Sequence, residues 1–178
     1  EVWGGLPDDP RRMGEFSTGG RTADKLLVSD DGGMVAMLAG GELYRLSADS
    51  AERLGQGIRD AAFLRGTRDL FALEAGRLIR FLKAEAEAEE TVLAGFDDAT
   101  AFAISRDQKQ VTVAGAEVLV ADLRTGQAAR VQVDETRFDA VVRAEGDAVF
   151  QLHAVNGETW LLDADSARLQ PLAARGNQ

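Results

Sequence analysis

Short runs of apolar and small residues alternate with polar turns along most of the chain, and the arrangement recurs four times. Residues 101–133 show it most clearly. An apolar run, 101–105, meets the polar turn Arg106-Asp107-Gln108-Lys109 and then a second run, 110–115, that ends on Gly115. A third run, 116–123, leads through Arg124-Thr125-Gly126-Gln127 into a fourth, 128–133. Runs of four to eight residues bounded by Gly, Asp, Asn and Ser read as strands joined by tight turns. This unit therefore predicts one four-stranded antiparallel sheet.

The other three units follow the same plan. The first has predicted strands at 25–28, 34–38, 42–46 and 52–54. The second has them at 61–64, 69–73, 77–82 and 91–93, and the fourth at 140–142, 148–152, 159–163 and 168–172. First strands begin near Lys25, Ala61, Ala99 and Ala140, in steps of 36, 38 and 41 residues. Asp30-Asp31-Gly32-Gly33 and Glu145-Gly146-Asp147 join first strands to second. Gly40-Gly41, Ala75-Gly76, Gly115 and Asn156-Gly157 join second strands to third. Asn-Gly between apolar strands is a strong hairpin signal. A fixed period of about 40 residues with four strands per unit suits the blades of a β-propeller. The fold class is thus all-β, with about four four-stranded blades.

Two segments depart from the period. Residues 1–24 hold two of the three prolines and read as an irregular arm, with Trp3, Leu6, Met13 and Phe16 available to anchor it. Residues 25–178 form the four-blade domain. Within it, Lys83-Ala84-Glu85-Ala86-Glu87-Ala88-Glu89-Glu90 combines helix propensity with a run of acids, and it reads as a solvated loop or a short helical turn.

The residues of the third unit, Ala101-Phe102-Ala103-Ile104-Ser105-Arg106-Asp107 followed by 118–126, resemble the WD40-like or YVTN-type propeller repeat. Ser29-Asp30-Asp31-Gly32-Gly33 and Leu161-Leu162-Asp163-Ala164 echo it, so the resemblance spans roughly residues 25–172. The Gly-His dipeptide of the strict WD40 pattern is missing, and Ala121-Asp122 stands where Trp-Asp would end the third strand. Divergent bacterial relatives are the better comparison. Such families usually use six to eight blades, although hemopexin-like proteins close with four. The resemblance therefore implies three arrangements for four blades: a closed ring, a ring completed by a second copy, or part of a longer propeller.

Composition narrows the function. The 178 residues carry a formal net charge of −10, and 45% are hydrophobic. The apolar share excludes disorder, and the acidity argues against nucleic acid and anionic membrane while favouring a basic partner. No apolar run approaches a membrane span. With no cysteine, disulfides, thiolate nucleophiles and thiolate zinc are excluded. That lack and the Glu1 start favour a periplasmic or extracellular setting over a cytoplasmic one.

An aspartate precedes the first strand of every unit: Asp24, Asp60, Asp98 and Asp139. In a propeller these loops crowd the channel face. Asp97 doubles the charge in one of them, and Asp134 and Glu135 add to another. The carboxylates offer ligands for Ca²⁺ or contacts for a basic peptide. Alternatively, each bonds to nearby backbone N–H groups and recurs for structural reasons. Arg59, Phe96, Arg137 and Phe138 share the loops and read either as interface anchors or, for the two phenylalanines, as packing between blades.

Other motifs carry less. His153 is the only histidine and has no nucleophile in a recognisable context beside it. Gly157-Glu158-Thr159-Trp160 matches only the tail of an Asp-box, so Trp160 is expected between sheets. Gly55-Gln56-Gly57 precedes a strand, so no helix dipole awaits a phosphate. Asp163-Ala164-Asp165 lacks the rest of an EF-hand loop. Two functions remain open. One is a non-catalytic binding module with a protein, peptide or small ligand on the loop face. The other, implied by the resemblance, is an enzyme or cofactor-binding propeller of the lactonase or quinoprotein kind, using loop carboxylates.

Overall fold

The structure is a computed structural model. It describes the strands Val2–Gly4 and Arg11–Gly14 together with residues 18, 20–96, 98–133 and 135–172. Those two strands, β1 and β2, pair antiparallel. The segment expected to be irregular thus contains a hairpin. The anchoring roles expected of Trp3, Leu6, Met13 and Phe16 lie outside the described residues.

Sixteen further strands among the described residues form four antiparallel four-stranded sheets, each in simple meander order. The first holds β3 (Lys25–Val28), β4 (Val35–Ala39), β5 (Glu42–Leu46) and β6 (Ala51–Gln56). The second holds β7 (Asp60–Phe63), β8 (Leu70–Glu74), β9 (Arg77–Phe81) and β10 (Glu89–Ala94). The third holds β11 (Ala99–Ile104), β12 (Gln110–Gly115), β13 (Val118–Asp122) and β14 (Ala128–Val131). The fourth holds β15 (Phe138–Arg143), β16 (Val149–Ala154), β17 (Thr159–Asp163) and β18 (Arg168–Pro171). These sheets are the four predicted units. The acidic stretch after β9 opens with a 3₁₀ turn, Leu82–Ala84, and its last two acids already belong to β10.

The chain divides into two compact units, one of residues 1–72 and 80–90, the other of residues 73–79 and 91–178. In the first unit, Val35, Met37, Tyr44 and Leu46 share one face of the first sheet and form a buried cluster with Ala39. Ala23 and Ala51 pack against it, and the Arg21 guanidinium lies 4.8 Å from the centre of the Tyr44 ring. On the opposite face Lys25 reaches β7, donating to the Asp60 carboxylate at 2.8 Å and to the Ala61 carbonyl at 2.9 Å.

In the second unit the third and fourth sheets face each other across a core. Ala101, Ala114, Val118 and Val120 come from one, and Phe138, Val141, Phe150, Leu152 and Leu162 from the other. Phe138 meets Trp160, also of the fourth sheet, edge to face at 6.3 Å, and the half-buried Trp160 packs against this core. Strands β12 and β16 are buried on alternate or both faces because a second strand lies in the middle of its blade.

A side-chain clamp shapes two of the turns between first and second strands. Ser29 Oγ donates to Asp31 Oδ1 at 2.7 Å and accepts the Met34 N–H. Ser105 does the same toward Asp107 and the Gln110 N–H. Asp31 and Asp107 also accept the N–H of Gly33 and of Lys109. The serine hydroxyls, then these backbone and cationic donors, hold both carboxyls at a pKa of about 2. The recurrence of Ser-x-Asp in the sequence is therefore a turn-forming device.

Candidate functional site

Within each sheet, the loop entering the first strand and the turn between second and third strands lie at the same end, as antiparallel order requires. Backbone bonds tie such loops and turns together: Ile58 N donates to Gly41 O and Gly95 N to Gly76 O, each joining an entry loop to the turn of the preceding sheet, and Val155 N donates to Arg137 O within the fourth, all at 2.9–3.1 Å. Asp24 N donates to Leu38 O, and its carboxylate accepts the Gly40 N–H at 2.6 Å.

The loops entering the second and third sheets each carry one buried apolar residue, and the fourth sheet opens on another. Ile58 is 3% exposed, Phe96 2% and Phe138 0%. This corrects the reading of Phe96 and Phe138 as interface anchors. Both are buried in the core, Phe138 within the cluster shared by the third and fourth sheets. Their burial fixes the charged neighbours in position. Arg59 is exposed beside Ile58, and Asp139 is exposed beside Phe138.

The aspartates do not share one role. Asp60 accepts from Lys25 and from the Ala61 N–H, so it latches the first sheet to β7 within the first unit. Asp98 adopts a left-handed backbone, φ 55°, and pairs with Arg137 at 2.6 Å. Both partners stay 44–48% exposed. Asp139 lies inside β15 rather than before it, at a register shift between Phe138 and Ala140. The matching shift in β11 lies between Ala99 and Ala101. The residue there, Thr100, donates its hydroxyl to Phe138 O at 2.8 Å and so joins the two bulges. Asp97 lies outside the described residues. Among the described residues, no group of three or more His, Asp or Glu is placed to hold a metal ion.

In the second unit the structure brings Asp98 to Arg137 and Thr100 to the Phe138 carbonyl, while Asp139 follows the buried Phe138 in β15 and Phe96 is buried on the loop that leads to Asp98. The sequence missed Thr100 and Arg130. Arg130 pairs with Glu117 at 2.5 Å and reaches Gly95 O at 3.4 Å, fastening the entry loop from β14. Only three-dimensional pairing brings Arg130 back to Gly95, so no local motif marks it. His153 is half-buried in β16, with Nδ1 3.5 Å from the Thr159 hydroxyl.

At the other end of the first two sheets, a cavity of about 480 Å³ is lined by Asp30, Asp31, Gly66, Thr67 and Arg68. Its polar groups satisfy one another. Asp31 pairs with Arg68 at 2.8 Å, and Asp30 accepts the Gly66 N–H at 2.8 Å.

No protein-family model matches the chain, and no curated protein matches it in sequence. Solved structures do match. An Agrobacterium tumefaciens protein described as TolB superposes with a TM-score of 0.67 at 14% identity, over 86% of this chain and 62% of its own. The fold is a β-propeller. The Pan2 WD40 domain of Neurospora crassa gives 0.65 at 12% identity, over 88% and 51%. A chain of the mitotic checkpoint complex gives 0.67 at 15% identity, over 91% and 54%. The propeller thus has WD40-like and TolB-like neighbours, and it spans only half to three-fifths of their length. Among the described residues, no helix is long and apolar enough to cross a membrane.

Proposed function

We propose that this chain is a non-catalytic propeller module that binds a protein or peptide on the entry loops of its third and fourth blades. One observation carries the reading. The exposed Asp98–Arg137 pair lies on the entry loops and Asp139 at the start of β15, with Phe96 and Phe138 buried along the same segments. Charged groups on a rigid base lose little entropy on binding, and loops held by a stable scaffold are where recognition concentrates. The ion pair is open to solvent, so a partner's charges exchange with it at small cost. The net charge of −10 favours a basic partner, whose approach it would steer.

The test uses a fluorescein-labelled arginine-rich peptide and anisotropy at low salt. Binding that weakens at least tenfold in Asp98→Lys/Asp139→Lys, and not in Asp30→Lys/Asp165→Lys, supports the reading. Equal loss in both pairs means attraction to bulk charge alone and overturns it.

A further inference from the structure

The turn between second and third strands is short in three of the sheets. Residues 40–41, 75–76 and 116–117 form it there, two in each case. The fourth sheet uses four, Val155-Asn156-Gly157-Glu158. The first position of the turn is exposed in every sheet. It holds Gly40, Ala75 and Ala116 in the shorter turns, whereas the longer one holds Val155, which is 62% exposed.

The turn does not need that valine. Asn156 Oδ1 accepts the Glu158 N–H at 3.0 Å, and Gly157, at φ 87°, donates its N–H to Ala154 O at 2.8 Å. Ala154 N donates to Glu158 O at 2.8 Å and closes the loop. Asn and Gly are the residues such a turn calls for, and a β-branched aliphatic is not. The core does not need it either. Leu152 and Ala154 belong to the buried cluster of the third and fourth sheets, and Val155 lies outside it.

What Val155 has is a fixed place on the candidate face. The ladder pairs Ala154 with Phe138, and one step further the Val155 N–H donates to Arg137 O at 2.9 Å. Arg137 pairs with Asp98 at 2.6 Å, so an aliphatic residue is pinned beside the exposed ion pair. Glu158, also exposed, ends the same turn. Charges alone accept a base in many registers and are screened by salt. An apolar contact beside them adds affinity that salt does not screen, and only for a ligand that places an apolar group there.

We propose that Val155 sets the sequence preference of the partner. The partner carries an aliphatic or aromatic residue next to the base that meets Asp98, and that residue packs on Val155. The inference rests on the binding reading given above. Asp98, Asp139 and Glu158 outnumber Arg137 on these segments, so a basic flank is the complementary one.

The test uses a set of fluorescein-labelled arginine-rich peptides with one leucine moved through successive positions, and a reference peptide with serine in its place. In the best register the leucine peptide should bind about fivefold tighter than the reference, and the ratio should persist as salt is raised. Val155→Ser should bring the ratio within about twofold while leaving the reference peptide's affinity and the circular dichroism unchanged, and Val155→Ile should keep it. Asp98→Lys/Asp139→Lys should weaken every peptide alike. A leucine preference that survives Val155→Ser overturns the inference. So does the lack of any preference in the parent chain, and in both cases the binding reading stands if the charge variant still weakens the reference peptide. If the charge variant leaves all peptides unaffected, the binding reading falls and this inference falls with it.

Discussion

The Ser105 hydroxyl donates to the Asp107 carboxylate at 2.7 Å, and the same serine accepts the N–H of Gln110, the first residue of the next strand. Two side chains thereby fix where one strand ends and the next begins. Ser29 and Asp31 repeat the arrangement. The fourth blade has Ala144 and Gly146 at the equivalent positions and closes its turn by the backbone bond Ala144 N to Val149 O.

This clamp has a signed pH dependence. Asp107 titrates at about 2 in the folded chain against 3.8 ordinarily, because Ser105, then the Lys109 ammonium and N–H, favour the charged form. A depressed carboxyl contributes stability above its unfolded pKa and loses it as pH falls through the folded one. Asp107→Asn should therefore lower the melting temperature by about 2–4 °C at pH 7. Thermal scans should show that difference shrinking between pH 4 and pH 2 and vanishing below.

Phe138 should separate core from surface on its own loop. It is fully buried and edge-on to Trp160. Phe138→Ala is expected to cost about 3–5 kcal/mol, while Asp139→Ala, one residue along, should stay within about 0.5 kcal/mol. Urea unfolding monitored by tryptophan fluorescence reads both.

Gly115 is a matter of space. A Cβ there would lie 2.2 Å from Asp98 O and 2.7 Å from Ala99 Cα, so the backbone of the entry loop would have to move. Gly115→Ala is expected to destabilise by about 2–3 kcal/mol. It should also weaken binding at the Asp98 loop. Gly157→Ala has open space around it and bears only the strain of φ +87°, about 1–2 kcal/mol, with binding unchanged.

Calcium should not act as a structural ligand. Asp24 is committed to the Gly40 N–H and Asp60 to Lys25, and no group of three or more His, Asp or Glu among the described residues is placed to hold a metal ion. A calcium titration followed by calorimetry should leave the melting temperature within about 1 °C, whereas a ligand at a hundred times its Kd would add about 2.7 kcal/mol.

Most of the fold was legible because the strands are short, apolar and separated by Asp, Gly and Asn. Strands β3, β5, β12 and β17 begin and end where the pattern puts them. The misplaced starts have a physical reason. β15 begins at Phe138 because a register shift inserts the polar Asp139 into the strand, and alternation cannot show a bulge. The 3₁₀ turn at Leu82–Ala84 depends on Lys83 N reaching the Asp69 carboxylate, a contact between distant residues. The site was legible in type but not in role. Sequence spacing found the recurring aspartates, yet Asp60 is a latch, Asp98 an exposed ion pair and Asp139 a bulge residue, distinctions set by Lys25, Arg137 and Ala140 across the fold.

Hydrogen exchange with and without saturating arginine-rich peptide tests the central claim most directly, because it maps the contact without mutation. Binding on the entry loops predicts added protection in peptides covering residues 95–100 and 135–140, with the turns at 29–34 and 105–110 unchanged. Protection confined to those turns, or spread evenly over acidic segments, would contradict a recognition surface at Asp98, Arg137 and Asp139.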